Sequence, residues 1–248
     1  ADFDYADNLI FSPGVIEQAK EALRQGATIV TDTNMALAGV SKTTLAKFGV
    51  KIEEISQNTF FVKGGQTFKS GEYRVEGDWS NGAILLALDS FGSQVEVTGL
   101  DENSVQGDKA CVEIFRTLEK ENAVIDLSDC PDLAPIAFAV AAEKNGATFV
   151  GTERLKIKES DRAAVMAQEL AKCGAQVEVK ENCVVVKKRD LHSPTQTLLS
   201  HNDHRIAMSL AVLLSKYGGQ IDGAEAVKKS YPNFWSDIKG VGTNVYEI

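Results

Sequence analysis

Apolar and polar positions along this chain alternate between a helical and an extended period, and the switches mark its elements. Ser12-Pro13 has the form of a helix start, with serine as cap and proline at the first helical position. Val15, Ile16, Ala19, Ala22 and Leu23 then fall on one helical face, and Gly26 ends it. Ala27–Thr31 (ATIVT) reads as a buried strand followed by the polar Asp32-Thr33-Asn34, a strand-end cap. A weaker helix covers about Ser41–Phe48, with Gly49 behind it. From Gln57 to Thr67 the pattern alternates and closes on the turn pair Gly64-Gly65.

From Tyr73 onward a repeat governs the pattern. Three segments share one plan of short strand, polar turn with an acid, and helix of small apolar residues: YRVEGDWSNGAILLAL, VIDLSDCPDLAPIAFAV and TLLSHNDHRIAMSLAV. Each is followed by a second helix start, NSVQGDKACVEIF, LKIKESDRAAVMA and KKSYPNFWSDI. Asp108 lies 30 residues after Asp78, Asp161 lies 29 after Asp132, and Asn233 lies 30 after Asp203. Chance does not hold such a spacing three times, so the chain carries three copies of one α/β unit. A strand joins the two helices of each copy (QVEVTG, ATFVGT, GQIDGA), and the hairpin pair AQVEVK and CVVVKKR follows the middle one. Units of this kind cannot bury their apolar faces singly and must pack into one globe. The expected fold class is α/β, one globe of three βαβαββ-type repeats over 48–248, preceded by a short α/β fragment over 1–47.

Composition narrows the function. Hydrophobic residues make up 44% and charged residues 25%, the profile of a globular chain with a real core. The net charge of −9 argues against nucleic-acid or anionic-membrane binding. No apolar run approaches the roughly 20 residues of a membrane span, and the acidic start (ADFDYADN) is unlike a signal peptide. Cys111, Cys130, Cys173 and Cys183 are widely spaced, as expected of reduced core cysteines in a cytoplasmic protein.

Against that acidic background, Leu155–Arg162 (LKIKESDR) packs Lys156, Lys158 and Arg162 with Glu159 and Asp161 at one helix mouth. SHNDHRIAM adds His204 and Arg205, and VKKSYPNF adds Lys228 and Lys229. Cations concentrated at successive copies of one turn call for a small anion. Helix N-termini attract anions, the forks of Arg162 and Arg205 suit phosphate or carboxylate, and lysines act as point charges. Asp132 and Asp203 each fit either an N-cap or a site carboxylate. Glu159 fits either an i,i+3 pair with Arg162 or a proton-transfer group.

Residues from about 45 to 242 resemble the C-terminal half of the 5-enolpyruvylshikimate-3-phosphate synthases (3-phosphoshikimate 1-carboxyvinyltransferases) through VEGDWS, QGD, LKIKESDR, NDHRIAM and KKSYPNF, in order and spacing. The resemblance implies the inverse α/β fold of that family. It also implies transfer of the enolpyruvyl group from phosphoenolpyruvate to shikimate 3-phosphate through a tetrahedral intermediate, without metal or organic cofactor. Asp132 matches the base near the shikimate 5-hydroxyl, Lys158 a substrate-contacting lysine, and Glu159 the glutamate acting on the methylene carbon. Arg162, His204, Arg205 and Lys229 match the phosphoenolpyruvate-binding set, Lys229 counting also as catalytic. DFDYADNLIFSPG and GATIVTDTNMALAG resemble a fragment of cobalt-precorrin-8 methylmutase, without that family's histidine. Residues 1–47 match none of the transferase family's N-terminal motifs, and both families share a phrase like LAKFGV at the junction. The expectation is therefore a recombinant, designed or misassembled chain that supplies one wall of a cleft. A complementary N-terminal half would be its partner, and the alternatives are a non-catalytic chimeric or truncated anion-binding domain or a precorrin-8 methylmutase fragment.

Overall fold

A computed structural model of the 248-residue chain describes 74–247 without a break. Before them it describes 13, 14, 17, 18, 20, 21, 29, 30, 49, 51–56, 59–63, 65–67, 69 and 72. The cap at Ser12, the residues Asp32-Thr33-Asn34 and the helix expected over Ser41–Phe48 lie outside the described residues. The chain divides into two compact units, Ala1–Val75 and Glu76–Ile248.

In the first unit, strands β1 (Ile29–Val30), β2 (Ile52–Ser56) and β3 (Thr59–Val62) form an antiparallel sheet in the order β1-β3-β2, with a register shift between Glu54 and Ser56. Gln66 ties the open end of the β2–β3 hairpin. Its Oε1 accepts from the Lys51 N–H at 2.6 Å, and its Nε2 donates to the carbonyls of Lys51 at 3.0 Å and Lys63 at 2.9 Å.

The second unit is built around α3 (Ala134–Glu143), where Ala134 to Ala142 are all buried. Alanines spaced between Ile136, Phe138 and Val140 let neighbouring helices approach this one from all sides, so its sequence shows no polar face. The middle repeat forms β4 (Ala123–Asp126), α3, β5 (Gly146–Val150), α4 (Arg162–Ala171), β6 (Gln176–Lys180) and β7 (Cys183–Lys187), the βαβαββ order read from the sequence. Its strands lie in the order β4-β5-β7-β6, with β4 parallel to β5 and the other two pairings antiparallel. Phe138 of α3 meets Phe149 of β5 edge to face at 4.8 Å between ring centroids, each burial contributing about 2–3 kcal/mol. Asn182 turns the β6–β7 hairpin with φ 49°, and its side chain accepts from the Glu153 N–H at 2.9 Å.

The third repeat runs β8 (Leu198–Leu199), α5 (His204–Tyr217), β9 (Ile221–Asp222), a 3-10 turn over Ala224–Lys229, and α6 (Phe234–Gly240). Strands β8 and β9 are parallel. The first repeat has its two helices, α1 (Trp79–Leu86) and α2 (Cys111–Leu118), but neither the strand expected at YRVEG nor that at QVEVTG: residues 74–77 and 94–98 make no strand among the described residues. The Val95 N–H donates instead to the Asp89 carboxylate at 2.8 Å. Gly77 passes so close to this segment that a Cβ there would stand 2.5 Å from the Gly99 carbonyl oxygen. Among the described residues no helix is long and apolar enough to cross a membrane.

Candidate active site

Helix starts from the middle and third repeats meet at Arg162, the first residue of α4. Its side chain is 1% exposed, and all three of its nitrogens are bound by carboxylates. Nε donates to Asp203 Oδ2 at 2.9 Å, NH1 to Asp132 Oδ1 at 2.6 Å, and NH2 to Glu159 Oε2 at 2.7 Å. A buried guanidinium requires counter-charges on this scale, because a lone ion in the interior costs several kcal/mol. The fork expected to grip a ligand anion is thus turned on protein acids. Arg162 organises the site from within.

The two readings of each acid now separate. Asp203 is both cap and site group: its Oδ1 accepts from the Arg205 N–H at 2.9 Å, opening α5, while Oδ2 accepts from Arg162 and from Ser160 Oγ at 2.9 Å. Asp132 is not a cap. It stands in a 3-10 turn, Pro131–Leu133, ahead of α3, and no side chain caps that helix. Its carboxylate faces Arg162 and also Lys158, at 3.0 Å. Burial alone would raise the Asp132 pKa, but Lys158, Arg162 and Arg205 outweigh it and bring it down to about 2. Glu159 makes the i,i+3 pair, yet with a buried partner, and its own side chain is 40% exposed.

His204 is buried, and its Nδ1 stands 4.0 Å from both Glu159 Oε1 and Asp203 Oδ1, beyond hydrogen-bond reach. Burial, then the charge of Arg205, lowers its pKa, so the ring is neutral at neutral pH rather than one more cation. Arg205 is 6% exposed, and its Nε and NH1 are buried without a hydrogen-bond partner among the described residues. Lys229, exposed at the end of its 3-10 turn, donates to the Asn202 carbonyl at 2.7 Å and so joins the loop that leads into α5.

Sequence reasoning used Asp108 of QGD only as a spacing mark. It is buried, accepts a hydrogen bond from Ser80 Oγ, and lies in the electrostatic neighbourhood of Asp132 and Arg205. Burial above all pushes its pKa up, and Asp132 and Asp78 add to this against the Ser80 bond and Arg205. Its place in the spacing, equivalent to Asp161, was the available signal. Among the described residues no group of three or more His, Cys, Asp or Glu side chains could hold a metal ion. All four cysteines are free, and burial pushes the thiols of Cys111 and Cys130 up to about 12, which leaves them inert.

The family model for EPSP synthase (3-phosphoshikimate 1-carboxyvinyltransferase) matches residues 20–238. A 3-phosphoshikimate 1-carboxyvinyltransferase of Clostridium kluyveri is 40% identical over 223 residues, covering 82% of this chain and 52% of that protein. One of Clostridium acetobutylicum is 40% identical over 245 residues, covering 90% and 57%. The chain thus spans a little over half the length of these curated relatives. An EPSP synthase structure from Acinetobacter baumannii shares the fold, with a TM-score of 0.73 at 20% identity over 95% of this chain and 61% of that one. By the extent of these matches, the chain belongs to the EPSP synthase family.

Proposed function

We propose that this chain supplies one wall of an active site that transfers the enolpyruvyl group of phosphoenolpyruvate to the 5-hydroxyl of shikimate 3-phosphate, releasing phosphate. The observation that carries the reading is Arg205, a buried guanidinium whose Nε and NH1 have no partner among the described residues. Leaving such donors unpaired is costly, and a carboxylate or phosphate oxygen satisfies them best. Lys229 and Lys158 flank the same turns and add point charges.

In this reading Arg205 and Lys229 hold phosphoenolpyruvate while neutral His204 shapes the pocket without repelling Arg205. The substrate hydroxyl adds to C2 of phosphoenolpyruvate, its own proton passing to a phosphate oxygen, while a proton goes to C3, giving a tetrahedral intermediate. Loss of phosphate and of a C3 proton then yields the enol ether. Glu159, half in solvent and anchored by one oxygen, is the group placed to give and take the C3 proton. Asp132 accepts the hydrogen bond of the attacking hydroxyl. Its pKa near 2 makes it a weak base, so orientation beside Lys158 is its larger contribution. Arg162 keeps all three acids in register.

The test is calorimetric binding of phosphoenolpyruvate to the chain, followed by a phosphate-release assay with shikimate 3-phosphate. The assay is run with and without a protein corresponding to the N-terminal half of the relatives. The chain is expected to bind phosphoenolpyruvate, and Arg205→Gln to weaken binding by about tenfold or more. Phosphate release is expected only with the added half. Absence of binding by the unaltered chain would sink the proposal, and turnover by the chain alone would overturn the one-wall reading.

A further inference from the structure

The loop that delivers Asp203 and Arg205 holds two successive non-glycine residues in the left-handed region, His201 at φ 51° and Asn202 at φ 57°. L-residues disfavour this conformation, so two in a row persist only where the surroundings fix them. Beside them stands Glu169, wholly buried on α4. Its Oε2 accepts from the Leu199 N–H at 2.9 Å, and its Oε1 is 2.9 Å from His201 Nε2. Lys172 Nζ bonds both oxygens, at 2.9 and 2.7 Å, and also the Thr197 carbonyl at 3.2 Å. Burial would raise the Glu169 pKa, but the bonds from His201, Lys172 and Leu199 outweigh it and hold the group ionised. A carboxylate can only accept, so His201 donates through Nε2–H.

Glu169 follows Arg162 by seven residues, two turns along the same face of α4. One helix therefore grips both ends of the loop: Glu169 takes Leu199 and His201, and Arg162 takes Asp203. Between them the Asn202 carbonyl points at Lys229 Nζ, 2.7 Å away, and the Asn202 N–H donates to Ser200 Oγ at 3.2 Å. The left-handed turn at 201–202 is what aims that carbonyl at the lysine and the next side chain at Arg162.

We infer that Glu169 and His201 are positioning residues: their hydrogen bond clamps the left-handed turn that sets Asp203 on Arg162 and Asn202 on Lys229, and so sets the anion-binding geometry of Arg205. The inference rests on the reading of Arg205 and Lys229 as anion ligands. Its structural half, the coupling of His201 to Arg162, can be read without any ligand. A residue serving only to fill space at 169 would be apolar, whereas here each oxygen meets a separate point of the loop.

The experiment compares His201→Ala and His201→Gln with the unaltered full chain by two measurements. The first is the NMR signal of the Arg162 Nε–H and of the Arg205 backbone N–H. The second is calorimetric affinity for phosphoenolpyruvate well below the melting transition. In His201→Ala the Arg162 Nε–H is expected to move toward the position of an unbonded guanidinium and to exchange faster, with affinity falling about tenfold. In His201→Gln, whose side-chain N–H can reach Glu169, both are expected to return toward the original values. His201 is partly exposed, so removing its ring leaves the core intact. A lower melting temperature with unmoved Arg162 and Arg205 signals would overturn the clamp, as would failure of glutamine to restore what alanine loses. If the unaltered chain does not bind phosphoenolpyruvate, the reading of the anion site fails, and the clamp stands or falls on the Arg162 signal alone.

Discussion

Arg162 and Arg205 carry the same guanidinium and sit in opposite circumstances. The first is saturated by Asp203, Asp132 and Glu159, while the second keeps buried N–H groups without partners among the described residues. Saturation makes Arg162 structural, because removing the buried Asp203 leaves part of a buried charge uncompensated, at about 3–5 kcal/mol, and removing the partly exposed Asp132 or Glu159 costs less. The same pairing predicts an acid limb in the stability profile. Asp132 has its folded pKa depressed to about 2, below the unfolded value, and Asp203 and Glu169 are lowered in the same direction. Groups of this sign stabilise the fold above the unfolded carboxylate pKa and lose that contribution as pH falls through the folded one. For Asp132 the contribution is about 1–2 kcal/mol, discounted because a third of its side chain meets solvent. Urea unfolding of the original chain and of Asp132→Asn should therefore converge between about pH 4 and pH 2. A gap that stayed constant with pH would show that Asp132 is not held ionised by Lys158 and Arg162. Asp108, raised by burial, works with the opposite sign and favours the fold on the acid side.

Helix starts are where residue chemistry becomes architecture, and the caps of this fold are not equivalent. Asp161 opens α4 with a single bond to the Ala164 N–H at 3.2 Å, an ordinary cap. Asp203 opens α5 and at the same time neutralises Arg162. Asp161→Ala should cost about 1 kcal/mol in denaturant unfolding, and Asp203→Ala about 3–5 kcal/mol because it strands a buried guanidinium. Equal losses would mean that capping, not charge pairing, is the role of both. At this scale much of the fold was legible. The middle repeat forms in the order its periods predict, since the switch from helical spacing to ATFVGT and to the AQVEVK–CVVVKKR pair leaves little freedom. QVEVTG was not legible in the same way. Alternation at period two specifies which side chains share a face, but it does not supply a partner strand, and the Val95 N–H finds Asp89 instead. The repeat spacing located the turns; it could not say that Asp132 would forgo capping.

Across the whole molecule, the sequence showed which charges belong together and not what they do to one another. Spacing brought Asp132, Lys158, Arg162, His204, Arg205 and Lys229 to related turns. Whether a fork faces a ligand or three acids depends on side-chain direction and burial, which no period records. The roles of Asp108, Glu169 and His201 escaped notice for the same reason: a buried polar group looks like any surface acid or histidine until its surroundings are known. All these side chains lie within Glu76–Ile248, and the cluster of buried apolar residues described here runs from Trp79 to Ile238. A unit with its own core should fold as a unit. A chain beginning at Glu76 is therefore expected to unfold in urea in one cooperative step and to bind phosphoenolpyruvate within about twofold of the full chain. A broad, non-cooperative transition would show that the core needs residues 1–75. A folded chain with affinity reduced by about tenfold or more would show that those residues supply part of the anion site.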